Sequence, residues 1–222
     1  MTRFLDRRKA FELRKQGKSY SQIKKELGMS KSTLSQWLRK YPLTKEQIDS
    51  LRGKSEVRIE KYRETMRRKR EERFDKYYNE EKALWLPLSK RELFIAGLFL
   101  YWGEGNKSQR NMLSINNTDP AVIQFAFFWV IKSLNVQKSD VRLQLHLYSD
   151  MDIEKELVYW CNVLKVKKHQ FNKPYIKQSK RADIDQKGFG HGTCGIQIGN
   201  TVLKERILAL IQAMGDYVRN KF

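Results

Sequence analysis

Cysteine, acidic residues and long apolar runs are all scarce in this chain. Its 222 residues include two cysteines. Cys161 and Cys194 make neither a disulfide framework nor a CxxC pair, so a reducing, cytoplasmic compartment is expected. No apolar run reaches the roughly 18–20 residues that a membrane-spanning helix needs. The start, MTRFLDRRKAF, has none of the apolar centre of a signal peptide. Asp and Glu number 25 against 45 Lys and Arg, a net charge of +20. Such an imbalance bears on partners rather than on fold, and it points to a polyanion, nucleic acid first. Glycines 188, 190, 192 and 195 surround His191, but no GxGxxG or Walker pattern opens a helix. They read as a flexible loop, and no small-molecule substrate is expected. His191 and Cys194 have a spacing seen at zinc sites, yet a closed site needs about four ligands.

What is present begins with three short helices in residues 1–42. The first, near Asp6 to Gln16, buries Ala10, Phe11 and Leu13 and stops at Gly17. Ser19 and Gln22 form a capping box for the second, which stops at Gly28, where a left-handed residue is wanted. Ser30 caps a third helix, KSTLSQWLRK, burying Leu34, Trp37 and Leu38. Helix, glycine turn and helix at this spacing is the helix-turn-helix pattern. The run GKSYSQIKKELGMSKSTLSQWL resembles the helix-turn-helix domains of resolvases and transposases. Exposed positions of the third helix are expected to be Lys31, Ser32, Thr33, Ser35, Gln36 and Arg39. Short hydroxyls, an amide and cations can reach base edges and phosphates in a major groove of double-stranded DNA.

Residues 43–86 change character. Thr44 and Gln47 make another capping box, and a long charged stretch follows. Opposite charges recur at spacings of three and four, which suits a solvent-exposed helix. The sparse apolar residues keep no heptad register. Arg67, Arg68, Lys69 and Arg70 could lie along a phosphate backbone or simply be solvated.

Residues 87–218 read as an α+β domain of roughly four strands and four helices. The strands are MLSINN, the strictly alternating DVRLQLHLY, PYIK and TCGIQIG. His146 shares the polar phase of the second strand with Gln144 and Tyr148. Helices lie between and after them, begun by Asp119-Pro120, by Asp152 and by Asn200 or Thr201; the last closes at Gly215. The domain opens with SKRELFIAGLFLYWGEG, Ser89 to Gly105. Ser89 and Glu92 form a capping box, and the run beyond is apolar all round, as in a helix buried on every side. A carboxylate between two glycines at the end of such a helix is one that a core does not explain.

The run GLFLYWGEGNKS, followed by a strand and a helix begun at TDP, resembles the LAGLIDADG homing endonucleases. That resemblance implies a motif helix packed on its twin across a two-fold axis, with its terminal acid in the catalytic centre. Carried over by position, the catalytic acid is Glu104. The resemblance makes Glu104 and Gly105 the holders of a divalent metal, Mg²⁺, a hard cation that takes oxygen ligands. Ala96, Gly97, Leu100 and Gly103 would form the helix contact. A saddle of strands would lie on DNA, with Lys107, Arg110, Arg142, Gln144, Lys173 and Lys177 touching phosphates and bases. One motif per chain implies a homodimer, encoded by a bacterium, an archaeon or a phage.

The expected architecture is thus α+β: a three-helix helix-turn-helix module, a charged helical connector and a LAGLIDADG-like domain. The first functional expectation is a homodimeric, sequence-specific, metal-dependent endonuclease. The second is a non-catalytic DNA-binding transcriptional regulator on the same scaffold. A third is an accessory protein of recombination or transposition.

Overall fold

The structure is a computed structural model that describes residues 4–51, 53–180 and 190–221. The chain is α+β and divides into two compact units, Met1–Leu86 and Pro87–Phe222.

The first unit is helical. Helices α1 (Phe4–Lys15), α2 (Tyr20–Leu27) and α3 (Lys31–Leu38) enclose a small core of Ala10, Leu13, Tyr20, Ile23, Met29, Leu34 and Leu38. Their boundaries follow from side chains that satisfy free backbone donors. The Ser19 hydroxyl accepts from the Gln22 N–H while Gln22 Oε1 accepts from the Ser19 N–H at 2.8 Å. Gly28 closes α2 at φ 64°, a left-handed conformation that glycine adopts without strain. A short helix, α4 (Lys45–Asp49), has the predicted Thr44–Gln47 capping box. Helix α5 (Lys54–Trp85) then runs unbroken for 32 residues.

The beginning of α5 is built into the helix-turn-helix core. The Ser19 hydroxyl donates to Glu56 Oε1 at 3.0 Å. Arg14 pairs with the buried Glu60 at 2.9 Å, and its Nε donates to the Tyr41 carbonyl. Arg63 also pairs with Glu60, and the Arg14 and Arg63 guanidiniums lie 4.6 and 3.9 Å from the centre of the Tyr20 ring. Further on, from Arg68 to Trp85, every α5 residue is exposed. Ion pairs three or four residues apart line this stretch: Arg67 with Glu64 and Glu71, Arg68 with Glu72, Lys76 with Glu80. Each contributes only a few tenths of a kcal/mol.

The second unit is a two-layer domain. Its elements are α6 (Lys90–Glu104), β1 (Leu113–Asn117), α7 (Pro120–Ser133), β2 (Arg142–Tyr148), α8 (Ile153–Leu164), β3 (Tyr175–Lys177), β4 (Thr193–Ile198) and α9 (Thr201–Arg219). Strand order is β1-β4-β2-β3; β4 is antiparallel to both neighbours and β3 is parallel to β2. All four helices send side chains into one core with the apolar face of the sheet: Leu98 and Tyr101, Ile123 and Trp129, Trp160 and Leu164, Ile207 and Ile211. The opposite face of the sheet carries its polar side chains.

Two expectations are corrected here. Helix α9 does not stop at Gly215 but continues to Arg219, because a single glycine costs a helix only about 1 kcal/mol. Helix α6 is not buried all round: Leu98 and Tyr101 are fully covered, while Phe99 is 48% and Trp102 38% exposed. Residues 181–189, including the loop glycine Gly188, lie outside the described residues.

Candidate nucleic-acid interface

Three surfaces carry the residues singled out from the sequence. The first is α3. Leu34 and Leu38 face the core, which turns Ser32, Ser35, Gln36 and Arg39 outward along one side, with Lys31 beside them. Thr33 differs: it is half-buried, its N–H donates to the Ser30 hydroxyl at 3.1 Å and its own hydroxyl meets the same oxygen at 2.8 Å. It completes the helix cap, leaving the other five residues as the outward surface. Arg39 and Ser35 border a cleft with Arg63, Arg67 and Arg70 of α5, so the outward side of α3 lies beside further cations. Met29, nearly fully buried, fixes the turn between α2 and α3.

The second surface is the polar face of the sheet. Alternation in β2 buries Leu143, Leu145 and Leu147 and leaves Arg142, Gln144, His146 and Tyr148 on the other face. Register aligns these with neighbours into cross-strand rows: Ser114, Gln197 and Arg142; Asn116, Gly195 and Gln144; Thr193, His146 and Tyr175; Tyr148 and Lys177. The face is rich in amides that can both donate and accept. Gln144 Nε2 donates to the Lys173 carbonyl at 2.8 Å, and Arg142 Nη1 to the His169 carbonyl at 3.0 Å. Lys177 Nζ lies 4.6 Å from the centre of the Tyr148 ring. His146 has its pKa lowered, first by burial and then by the charge of Lys177. Neutral imidazole is the form that this environment favours. Asn116, Gln197, Asn172 and Tyr175 belong to this face and were missed in the sequence. Asn116 and Gln197 sit on the polar phase of short strands, which was the available signal.

The third surface is the end of α6. Glu104 is exposed and makes no hydrogen bond or ion pair among the described residues. The carbonyl of Tyr101 accepts from the Gly105 N–H, and Gly105 pairs with Ile115 of β1, which ties the helix end to the sheet. A Cβ on Gly105 would overlap the Tyr101 ring. Beyond it, Asn106 Oδ1 accepts from the N–H groups of Ser108 and Gln109, fixing the loop that carries the exposed Lys107 and Arg110. Beneath lies Lys204 of α9, completely buried, whose ammonium donates to the Tyr101 hydroxyl and the Asn106 carbonyl. Burial, then the charge of Lys107, lowers the Lys204 pKa, and burial raises that of Tyr101 to about 12. Lys204 occupies a helix position that reads as an ordinary surface lysine, so no sequence signal marked it.

The residues expected at the helix contact divide. Gly103 faces open space. Ala96 is half-buried, and Leu100 packs partly against its own core. Gly97 is buried, and a Cβ there would overlap the Trp129 ring of α7. Trp129 Nε1 donates to the Phe94 carbonyl at 3.2 Å, so this close approach joins α6 to α7 within the chain. Gly97 is therefore taken up by packing inside the domain and is not free to meet a second copy.

The zinc reading falls away in the same manner. Cys194 is fully buried in the sheet core, with its thiol pKa pushed up by burial. His191 Nδ1 is 2.7 Å from the buried Glu156, and its ring stacks on Tyr159. Among the described residues no three His, Cys, Asp or Glu side chains gather as metal ligands would. None of the described helices is long and apolar enough to cross a membrane.

The outward α3 face, set behind a capped turn, decides how the N-terminal unit is read. Residues 1–52 match a homeodomain-like domain family. The N-terminal segment is a helix-turn-helix DNA-binding domain. That match lies wholly within the first unit. No curated protein matches the chain, and no solved structure does.

Proposed function

We propose that this protein binds double-stranded DNA at a preferred sequence, with α3 in the major groove and the polar face of the β1–β4 sheet as a second contact surface. The observation that carries this reading is the outward row Ser32, Ser35, Gln36 and Arg39 on a helix whose opposite side is core. On such a face an amide can distinguish base edges, while hydroxyls and a cation beside it hold phosphates. The net charge of +20 supplies the non-specific attraction that precedes specific binding. The front end is of resolvase or transposase type in this proposal.

The finer form of the proposal is a LAGLIDADG-type endonuclease acting as a homodimer. Glu104 supports it as a carboxylate at a helix end that is exposed and unpartnered among the described residues, and the same helix exposes the rings of Phe99 and Trp102. Their centroids are 5.5 Å apart, forming an apolar patch that a second α6 could cover. In one chain the donors do not fit a catalytic Mg²⁺, because among the described residues Glu104 stands without further carboxylates to complete a ligand group. Two copies would supply the two carboxylates that such a centre needs. The same observation favours a second reading, a non-cleaving regulator that binds DNA and leaves it intact.

One experiment separates them. The preferred sequence is selected from random duplexes with the full chain and placed in a plasmid. Wild type and Glu104→Gln are then incubated with it in Mg²⁺ and in EDTA. Cutting by wild type in Mg²⁺ alone, lost in Glu104→Gln, is the nuclease result. Equal binding without cutting is the regulator result. Failure to enrich any sequence overturns the reading as a sequence-specific DNA-binding protein.

A further inference from the structure

Helix α5 carries large apolar side chains that its own unit leaves exposed. Phe74 is 67%, Tyr77 52% and Trp85 64% exposed, and Met66 40%. Most surface helices in monomeric proteins keep such residues turned toward a core. These four fall on a single stripe, Met66, Arg70, Phe74, Tyr77, Glu81 and Trp85, with successive spacings of four, four, three, four and four residues. Each of the first three positions recurs eleven residues later, a period close to three helical turns, which keeps a straight stripe on one face.

The stripe is a palindrome in spacing and in chemistry. Reflection about the point between Asp75 and Lys76 exchanges Met66 with Trp85, Arg70 with Glu81 and Phe74 with Tyr77. Among these six positions apolar ones map onto apolar ones and the cation maps onto the anion; on the same face the exposed Leu84 maps onto Arg67. We infer that this face of α5 pairs antiparallel with α5 of a second copy of the chain. Both rings at the centre then pack on the partner's rings, and each Arg70 meets a Glu81 across the pair. A parallel pairing would instead oppose Arg70 to Arg70 and Glu81 to Glu81, which like-charge repulsion disfavours.

The charges within the helix agree with this. Intrahelical ion pairs flank the stripe and use Arg67, Arg68 and Lys76. Among the described residues Arg70 takes part in none and makes no hydrogen bond. Among the described residues Glu81 is met only by its neighbour on the stripe, Trp85, whose indole N–H donates to it at 2.8 Å. The cation and the anion that the pairing requires are thus left open by the helix itself.

The test is sedimentation equilibrium of the full chain without DNA, with circular dichroism to show that each variant keeps its helix. Wild type is expected to sediment as a dimer in the tens of micromolar range. Arg70→Glu and Glu81→Arg are each expected to weaken the dimer at least tenfold, and the double variant R70E/E81R to restore it. Phe74→Ala is expected to weaken it as well. A wild type that stays monomeric at 100 µM would overturn the inference. So would a dimer indifferent to Arg70→Glu, or one that either single charge reversal strengthens, since that is the parallel result.

Discussion

The Arg14 guanidinium donates to the Glu60 carboxylate at 2.9 Å although 46 residues separate them, and both side chains are 4% exposed. This pair fastens the start of α5 to the helix-turn-helix core. Removing one partner leaves the other charge buried and uncompensated, a loss of about 3–5 kcal/mol. Glu60→Leu is expected to lower the first unfolding transition of the full chain and to weaken DNA binding with it. Arg14→Met combined with Glu60→Leu removes both charges and is expected to recover most of that loss. Urea unfolding of the single and double variants, followed by circular dichroism, measures this.

In the proposed complex the α3 residues are expected to divide by what they touch on DNA. Gln36→Ala removes a base-reading amide and is expected to cost about 1–3 kcal/mol on the selected sequence while relaxing preference at one position. Arg39→Ala is expected to weaken all sequences alike and to lower the salt slope of binding by about one ion. Thr33→Val is expected to act on stability, through the Ser30 cap, and hardly on sequence preference. Fluorescence anisotropy against selected and scrambled duplexes at several salt concentrations separates the three.

Two glycines of α6 are expected to behave oppositely. Gly97→Ala places a methyl group in the Trp129 ring, and overpacking of this kind costs about 1–3 kcal/mol. Gly103→Ala meets open space and is expected to raise stability by up to about 1 kcal/mol, the gain of alanine over glycine in a helix. If α6 also meets a second copy, Gly103→Ala lowers any plasmid cutting while raising the melting temperature. Thermal melts beside the plasmid assay read both effects.

His146 gives a pH dependence with a definite sign. Its pKa is lowered in the folded protein by burial and by Lys177. The unfolded chain therefore binds the proton more readily, and stability falls as pH drops from about 6.5 toward the lower folded value. His146→Gln keeps a polar side chain beside Tyr175 and is expected to flatten the stability profile between about pH 5 and 7. Unfolding midpoints across that range check it.

What could be read in advance was local. Ser19 with Gln22, Thr44 with Gln47 and Ser89 with Glu92 lie three residues apart, so each capping box was visible as a spacing and each fixed a helix start. The strict alternation of β2 likewise marked its polar face. What escaped depends on partners far along the chain. Glu60 reads as one more charge in a solvated helix until Arg14 is beside it, and Lys204 as a surface cation until Tyr101 and Asn106 close over it. Gly97 looked like a place for a neighbouring helix to approach. The sequence could not say that the neighbour was α7 of the same chain.

The bare stretch of α5 has a consequence for how the protein comes apart. Among the described residues, the backbone from Arg68 to Trp85 is guarded only by side chains of the same helix, so this stretch is expected to open at low cost. Its amide hydrogens should exchange first, and trypsin, offered Arg68, Lys69, Arg70, Arg73 and Lys76, should cut here before reaching either hydrophobic core. Because helix pairing would protect the same bonds, that cut should slow as the protein is concentrated, so limited proteolysis would report on assembly.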